Sequence, residues 1–183
     1  MEKPRIVNVD RDLSVPWYEQ IKKEVIFPWE DEPQIYYSIK PSDYVTALAR
    51  TRDDKIIVLK QFRPAVEDYT YELPSGHMEK GETPEESIVR ELEEETTCRA
   101  EKVNFLGEVI PDTGRLENSL WAFYIDGLEI KELRKPEENE GIEVCLLSHS
   151  EFIEMIQSGK FRHALDLSVI SLAIFNNHLK IKM

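Results

Sequence analysis

Short runs of apolar and β-branched residues, separated by polar turns, recur along most of the chain. Such runs, bounded by turn residues, predict β-strands. The strand-like runs are 44–50 (YVTALAR), 55–62 (KIIVLKQF), 69–74 (YTYELP), 102–110 (KVNFLGEVI), 119–125 (SLWAFYI) and 141–148 (GIEVCLLS). The sequence TRDD, which separates the first two runs, predicts a hairpin turn.

The N-terminal part, up to residue 43, is richer in proline and aromatic residues than the rest. Its segment 25–40 (VIFPWEDEPQIYYSIK) predicts two strand-like runs that Pro28 and Pro33 interrupt.

Apolar residues at helical spacing predict three helices. The first begins at Thr83, where Pro84 suits the first helical position and Glu86 completes a capping box, and it runs to about Thr96. The second begins at Ser148, which has capping-box spacing to Glu151. The last helix carries an apolar stripe formed by Leu165, Val169, Leu172 and Phe175.

Strands and helices are mixed along the chain without a repeating strand–helix–strand order. This arrangement favours an α/β fold in which helices pack on the faces of a mixed β-sheet. The length of 183 residues suits one domain, 1–183, with residues 1–43 as an N-terminal strand region.

The net charge of −13 excludes several classes of partner. Nucleic acids and anionic membrane surfaces both require clustered lysine and arginine, so neither is an expected partner. Dense carboxylates can instead hold divalent cations, which reverse the sign of the local field. Cys98 and Cys145 lack the spacing of metal ligands, and the start of the chain lacks an apolar signal region. Both features predict a cytoplasmic protein.

The carboxylates are concentrated in the segment 75–97 (SGHMEKGETPEESIVRELEEETT), which has eight acidic residues and only two basic ones between positions 79 and 95. Residues three or four positions apart share a helix face, so Glu91, Glu94 and Glu95 lie together, away from Ile88 and Leu92. The high density of carboxylates alone does not require a metal site, because it is also compatible with a solvated acidic helix face.

The spacing of the charged residues decides between these interpretations. Gly76, Glu82, the sequence Arg90-Glu91-Leu92 and the pair Glu94-Glu95 stand in the register of the Nudix box, which the segment resembles. One position departs, because Thr97 stands where the family has glycine. A β-branched residue disfavours a left-handed helix cap, so we expect the helix to end with a different geometry.

The resemblance implies a Nudix fold, an α/β/α sandwich around a mixed sheet. It also implies hydrolysis of a diphosphate that links a nucleoside to another group. The family pattern gives Glu91 and Glu95 as the principal metal ligands, Glu94 as a further ligand with a catalytic role, and the carbonyl of Ser75 as another ligand. Magnesium is the expected metal, with Mn²⁺ as the alternative. Arg90 and Glu82 are expected to pair and hold the loop against the helix.

The flanking sequences QFRP (61–64), YELPSG (71–76) and NEGIEV (139–144) resemble the ADP-ribose pyrophosphatase branch of the family. This resemblance implies cleavage of ADP-ribose to AMP and ribose 5-phosphate by a homodimer. It places Arg63 and Gly76 at the substrate, Trp29 on the adenine and Glu140 as a catalytic carboxylate. Alternatively, Arg63 is an ordinary surface arginine, Trp29 packs in a core or dimer interface, and Glu140 belongs to a plain charged loop.

Three other functions are weighed against this one. The first is a Nudix hydrolase of another nucleotide sugar or of a dinucleoside polyphosphate. The second is a non-catalytic sensor that binds ADP-ribose, although sensors generally lose the metal-binding glutamates that this chain retains. The third is an interaction protein with an acidic helix, which leaves the register of Gly76, Glu82 and Arg90 unexplained.

Overall fold

A computed structural model describes residues 5–12, 16–100, 102–130, 132 and 141–180 of the chain. The chain divides into two compact units. The first comprises residues 1–43 and 110–119, and the second comprises residues 44–109 and 120–183.

The first unit is built on a three-stranded antiparallel sheet of β1 (Arg5–Asp12), β2 (Tyr18–Ile26) and β3 (Gln34–Pro41). Strand β2 ends before Pro28 and β3 begins after Pro33, as the sequence predicts. Strand β1 is exposed along its whole length. Because no face of it is buried, its sequence carries no apolar alternation, and sequence analysis did not predict it.

The second unit contains a seven-stranded mixed sheet. Its strands are β4 (Tyr44–Thr51), β5 (Ile56–Arg63), β6 (Asp68–Glu72), β7 (Ser75–His77), β8 (Val103–Val109), β9 (Leu120–Leu128) and β10 (Glu143–Leu147). The main path runs β10-β5-β4-β9-β8, with β6 paired to β5 and β7 paired to β4. The pairing of β4 with β9 is parallel and the other pairings are antiparallel. The predicted mixed sheet is therefore confirmed.

Three helices cover the two faces of this sheet: α1 (Pro84–Thr96), α2 (His149–Gln157) and α3 (Ala164–Phe175). Alternate residues of β4 point to opposite faces of the sheet. Val45 and Ala47 pack in one core cluster with Ile88 of α1. Leu48 packs in the other cluster with Phe152 of α2 and with α3. The unit is an α/β/α sandwich, as the sequence predicts.

The apolar stripe predicted for α3 is partly wrong. The buried residues of the helix are Asp166, Val169, Ile170 and Ala173, whereas Phe175 is 82% exposed. The helix sequence ALDLSVISLAIF is apolar on almost every side, so residue spacing alone cannot select the face that packs on the sheet. The predicted capping boxes of α1 and α2 are both formed.

The end of α1 differs from expectation. Thr97 adopts the left-handed conformation, with φ 59° and ψ 6°, and its N–H donates to the carbonyl of Glu93 at 3.0 Å. The left-handed cap is therefore retained although the residue is β-branched. The hydroxyl of Thr97 donates to the carbonyl of Glu132 at 2.7 Å, a bond that glycine could not make and that offsets part of the strain.

Within the described residues, no helix is both long enough and apolar enough to cross a membrane. Cys98 is buried, Cys145 is partly buried, and both are free thiols, as the sequence predicts. The cytoplasmic location stays a prediction.

Candidate active site

The loop that precedes α1 touches the helix at Gly76. A Cβ atom at this position would lie 2.0 Å from Cδ of Glu91 and 2.2 and 2.3 Å from its carboxylate oxygens. Real Cβ atoms do not approach other atoms so closely, so a side chain at residue 76 would displace the carboxylate. Gly76 also pairs with Val45 of the central strand β4, which fixes its position. Glycine is therefore required here by the close approach of Glu91.

Glu95 lies one helical turn beyond Glu91 and contacts the same loop. Its Oε2 accepts a hydrogen bond from the N–H of Ser75 at 3.1 Å. Burial, with a further contribution from the negative charge of Glu91, raises the pKa of Glu95 well above its usual range despite this bond. Burial also raises the pKa of Glu91. The two carboxylates are thus held where an added positive charge would be favourable.

Arg90 connects the helix to the loop with one planar group. Its Nε donates to Glu82 Oε1 at 2.8 Å, and its Nη2 donates to Glu82 Oε2 and to the carbonyl of His77, both at 3.0 Å. The Nη1 atom donates to Glu91 at 2.7 Å and to Glu94 at 3.2 Å. The predicted pairing of Arg90 with Glu82 is confirmed, and it is two-pronged, which only a guanidinium allows.

Glu82 accepts the hydrogen bonds that hold this loop together. Besides the two bonds from Arg90, it accepts hydrogen bonds from the hydroxyl of Ser87 and, at 3.0 Å, from the N–H of Glu79. Arg90 first, then Ser87 and Glu79, lower the pKa of Glu82 to about 2. Glu82 therefore stays ionised under all ordinary conditions and acts as a fixed structural charge.

The segment supplies an all-oxygen set of candidate metal ligands. Within the described residues, no three His, Cys, Asp or Glu side chains are already arranged as a metal site. The reason is that Glu91 and Glu94 face Arg90, and Glu95 faces the N–H of Ser75. Carboxylate and carbonyl oxygens are nevertheless the ligands that Mg²⁺ prefers. Burial raises the pKa values of Glu91 and Glu95, and a divalent cation would offset the cost of ionising them, so the set fits such a cation.

Arg63 is fixed by a buried carboxylate. Its Nε and Nη2 donate to the two oxygens of Glu72 at 2.9 and 2.5 Å, and the hydroxyl of Thr70 also donates to Glu72 at 2.5 Å. The side chain of Glu72 is 4% exposed and that of Arg63 is 45% exposed. Although burial opposes ionisation, the bonds from Arg63 and Thr70 lower the pKa of Glu72. The guanidinium also attracts Glu95 electrostatically, so it borders the carboxylate group. This arrangement favours a site role over an ordinary surface arginine.

Sequence analysis missed Glu72 and two further titratable residues near it, His163 and Asp166. Asp166 is fully buried on α3, and its Oδ2 lies 2.9 Å from Nδ1 of His163. When it is protonated, His163 also lowers the pKa of Glu72. The available signal for Asp166 is a single charge within an otherwise apolar helix, a position that natural sequences fill only for a specific partner.

The remaining predicted residues lie elsewhere. Trp29 belongs to the first unit, where it is 67% exposed and its ring centroid lies 5.1 Å from that of Phe27. This exposure argues against a core role within that unit, and contact with adenine stays a prediction. Glu140 lies outside the described residues, so its role also stays a prediction.

Comparison with known proteins gives a family match and several relatives. Residues 40–165 match the model of the NUDIX domain. An ADP-ribose pyrophosphatase from Bacillus subtilis (strain 168) is 34% identical over 121 residues, which cover 66% of this chain and 65% of the relative. A methanol dehydrogenase activator from Bacillus methanolicus is 31% identical over 114 residues, 62% of each chain. The matched region thus spans less than two thirds of either relative.

One solved structure extends the likeness to almost the whole chain. It is described as the crystal structure of an ADP compounds hydrolase and superposes with a TM-score of 0.80. The superposition covers 94% of this chain and 93% of that chain at 19% sequence identity. At this identity the likeness establishes the fold.

The two-pronged contact with Arg90 predicts how Glu82 titrates. In Arg90→Leu we expect the pKa of Glu82 to rise from about 2 towards its ordinary value of 4.5, as followed by NMR of the carboxyl carbon. The folded pKa is depressed, so the interaction stabilises the fold fully above pH 4.5 and is lost as the pH falls towards 2. Wild-type protein should therefore lose more stability across that interval than the variant does.

Arg99→Leu is the matched control, because it removes one positive charge just beyond the same helix. An unchanged Glu82 titration in Arg90→Leu, or an equal shift in Arg99→Leu, would contradict the assigned contact.

Proposed function

The chain belongs to the Nudix family, and we propose that it is a metal-dependent pyrophosphohydrolase whose substrate is ADP-ribose. Water would attack one phosphorus of the diphosphate and break its bond to the bridging oxygen, which gives AMP and ribose 5-phosphate. The observation that carries this proposal is the contact between Gly76 and the carboxylate of Glu91. It brings Glu91, Glu95 and the backbone of Ser75 together at one place.

The metal assignment rests on these oxygen atoms. Nudix hydrolases generally use divalent metals such as Mg²⁺. Glu91 and Glu95 would be the principal ligands, with Glu94 and the carbonyl of Ser75 as further ligands. A bound cation would neutralise the diphosphate and lower the pKa of a water molecule. Arg90 donates hydrogen bonds to Glu91 and to Glu94 and so holds both carboxylates beside the loop.

The substrate assignment rests on Arg63 and on the flanking sequences. Arg63 presents a fixed positive charge in a protein whose net charge is −13, so it is a suitable contact for a diphosphate. Its sequence context, QFRP followed by YELPSG, resembles the ADP-ribose pyrophosphatase branch, and one relative bears that name. Gly76 would let the substrate approach the loop closely, and Trp29 would stack on the adenine.

A general base is best sought outside the metal ligands. A carboxylate that binds a cation is less basic and has fewer free oxygens, so Glu91 and Glu95 are poor candidates. Glu140 stands just before β10 in the NEGIEV sequence, where a loop could bring it to bound substrate. We assign it as the base, with Glu94 as the alternative.

The homodimer proposal rests on the exposed face of the first unit. Large apolar side chains are exposed along and beside its three-stranded sheet: Ile6, Val7, Val9, Trp17, Tyr18, Trp29, Ile35, Tyr36 and Tyr37. Large apolar side chains that are exposed in this number on one small sheet are typical of an interface between subunits.

The substrate proposal is tested by product analysis. Purified protein with Mg²⁺ should convert ADP-ribose to equal amounts of AMP and ribose 5-phosphate, separated by chromatography. In Glu95→Gln most of this hydrolysis should be lost, because one metal ligand is gone. Glu93→Gln, on an exposed position of the same helix, should retain it.

The same assay should include GDP-sugars, nucleoside triphosphates and dinucleoside polyphosphates. Faster turnover of any of these compounds would assign another substrate. Tight binding of ADP-ribose by wild-type protein without cleavage would instead identify a sensor.

The base assignment predicts the kinetics of Glu140→Gln. Its kcat should fall about a hundredfold or more, the scale expected for a lost general base, while KM for ADP-ribose and the affinity for Mg²⁺ change little. Glu138→Gln, a neighbour in the same acidic stretch, is the matched control. If kcat is retained in Glu140→Gln and lost in Glu94→Gln, the base is Glu94.

The assembly proposal predicts a dimer in sedimentation velocity at micromolar concentration. Replacing two exposed aromatic residues of β3 with charge, in Tyr36→Asp/Tyr37→Lys, should shift the protein towards the monomer. The double substitution leaves the net charge unaltered, so a shift cannot come from net repulsion. A wild-type monomer with full activity would refute the proposal.

A further inference from the structure

The segment Leu73-Pro74-Ser75 is hydrogen-bonded to a helix on each face of the sheet in the second unit. The N–H of Leu73 donates to Oδ2 of Asp166 on α3 at 2.8 Å. The N–H of Ala47 donates to the carbonyl of Pro74 at 3.0 Å, and the N–H of Ser75 donates to Glu95 on α1 at 3.1 Å. Proline has no N–H, so both amide protons that this segment possesses are bound by carboxylates, one from each helix.

Asp166 is an unexpected residue at its position. It is 0% exposed among the apolar residues of α3, and within the described residues its Oδ1 has no hydrogen-bond partner. A buried carboxylate costs desolvation free energy, and an apolar residue of similar volume commonly gives equal or greater stability. His163 compensates part of the charge at 2.9 Å, but its own side chain is partly exposed. Global stability is therefore a poor explanation for Asp166.

The segment that Asp166 holds has a functional residue on each side. Glu72, directly before Leu73, orients Arg63 through two bonds. Ser75 and Gly76, directly after Pro74, contact Glu95 and Glu91. A shift of the Leu73 backbone would therefore move the guanidinium and the carboxylate group relative to each other.

We propose that Asp166 is a positioning residue, which acts through the amide of Leu73 to fix the segment between Arg63 and the metal-binding carboxylates. The inference rests on the proposed function. A cation bound to the Glu95 carboxylate would weaken its hydrogen bond from Ser75, so Glu95 is a conditional anchor for this segment. Asp166 lies on the opposite layer and is an anchor that metal binding does not compete for. Its task is to keep the loop in place when Glu95 is engaged.

Binding of Mn²⁺ to the protein without substrate, followed by electron paramagnetic resonance, is the direct measurement. Asp166→Ala and Asp166→Leu remove the acceptor for Leu73, and both should weaken Mn²⁺ affinity about tenfold or more, the range found when residues behind metal ligands are lost. Asp166→Leu retains the branched shape of the side chain and serves if the alanine variant does not fold. Asp166→Asn keeps a carbonyl acceptor and should restore the affinity to within about threefold of wild type, by the same reasoning.

Val169→Ala is the matched control, because it opens a cavity in the same buried face of α3 and leaves the acceptor for the N–H of Leu73 in place. It should lower the melting temperature and leave Mn²⁺ affinity unchanged. With ADP-ribose and saturating metal, Asp166→Leu should still lower kcat, because Arg63 is also displaced. The factor should be at least as large as the loss of Mn²⁺ affinity.

The results separate this inference from the proposed function. If wild type binds Mn²⁺ and cleaves ADP-ribose while Asp166→Leu matches Val169→Ala in affinity and kcat, the positioning role is refuted and the function stands. If wild type cleaves no ADP-ribose, the substrate proposal fails, and the Mn²⁺ measurement still decides the role of Asp166. Equal losses in Asp166→Asn and Asp166→Leu would also refute the proposal, since the acceptor would then be irrelevant.

Discussion

The contact between the Glu91 carboxylate and the Cα of Gly76 sets the distance between helix α1 and strand β7, and the other contacts of the site require that distance. Glu95 reaches the N–H of Ser75 only because the helix lies this close. Arg90 can bond the carbonyl of His77 and Glu82 at once for the same reason. The absence of a side chain at Gly76 is thus the constraint that allows Glu91, Glu95 and Arg90 to reach the loop.

The carboxylates of this segment fall into two groups, because their surroundings lower the pKa of one and raise the pKa values of the others. Glu82 accepts hydrogen bonds from Arg90, Ser87 and Glu79, and its pKa is lowered to about 2. Glu91 and Glu95 are partly withdrawn from water close to like charges, and their pKa values are raised. Divergent pKa values within one cluster commonly separate structural groups from functional ones. The loop therefore uses one glutamate to stabilise itself and leaves two for an added cation.

The sequence predicts contacts within the loop and α1 better than it predicts contacts between distant parts of the chain. The box places Gly76, Glu82, Arg90 and the three glutamates in register, because each depends on local spacing along one loop and one helix. Strands β4, β5 and β9 are predicted because their apolar runs are buried. Strand β8 is predicted from a run that is only partly buried. Strand β7 is missed because it is three residues long and contains glycine. Asp166 stands out as a single charge in an apolar helix, but its role is missed because the amide that it binds lies 93 positions away.

The separation of Asp166 from Leu73 along the chain also bears on how the molecule folds. Contacts among β4, β5, β7 and α1 connect residues within the stretch 44–97, so they close short loops and can form early. The parallel pairing of β4 with β9 and the bond from Leu73 to Asp166 close much longer loops. The acidic half of the site can therefore assemble while α3 is still being synthesised or is still undocked. On the proposed role of Asp166, docking of α3 would then be the step that fixes the Leu73 backbone, because it brings the acceptor for that amide into place.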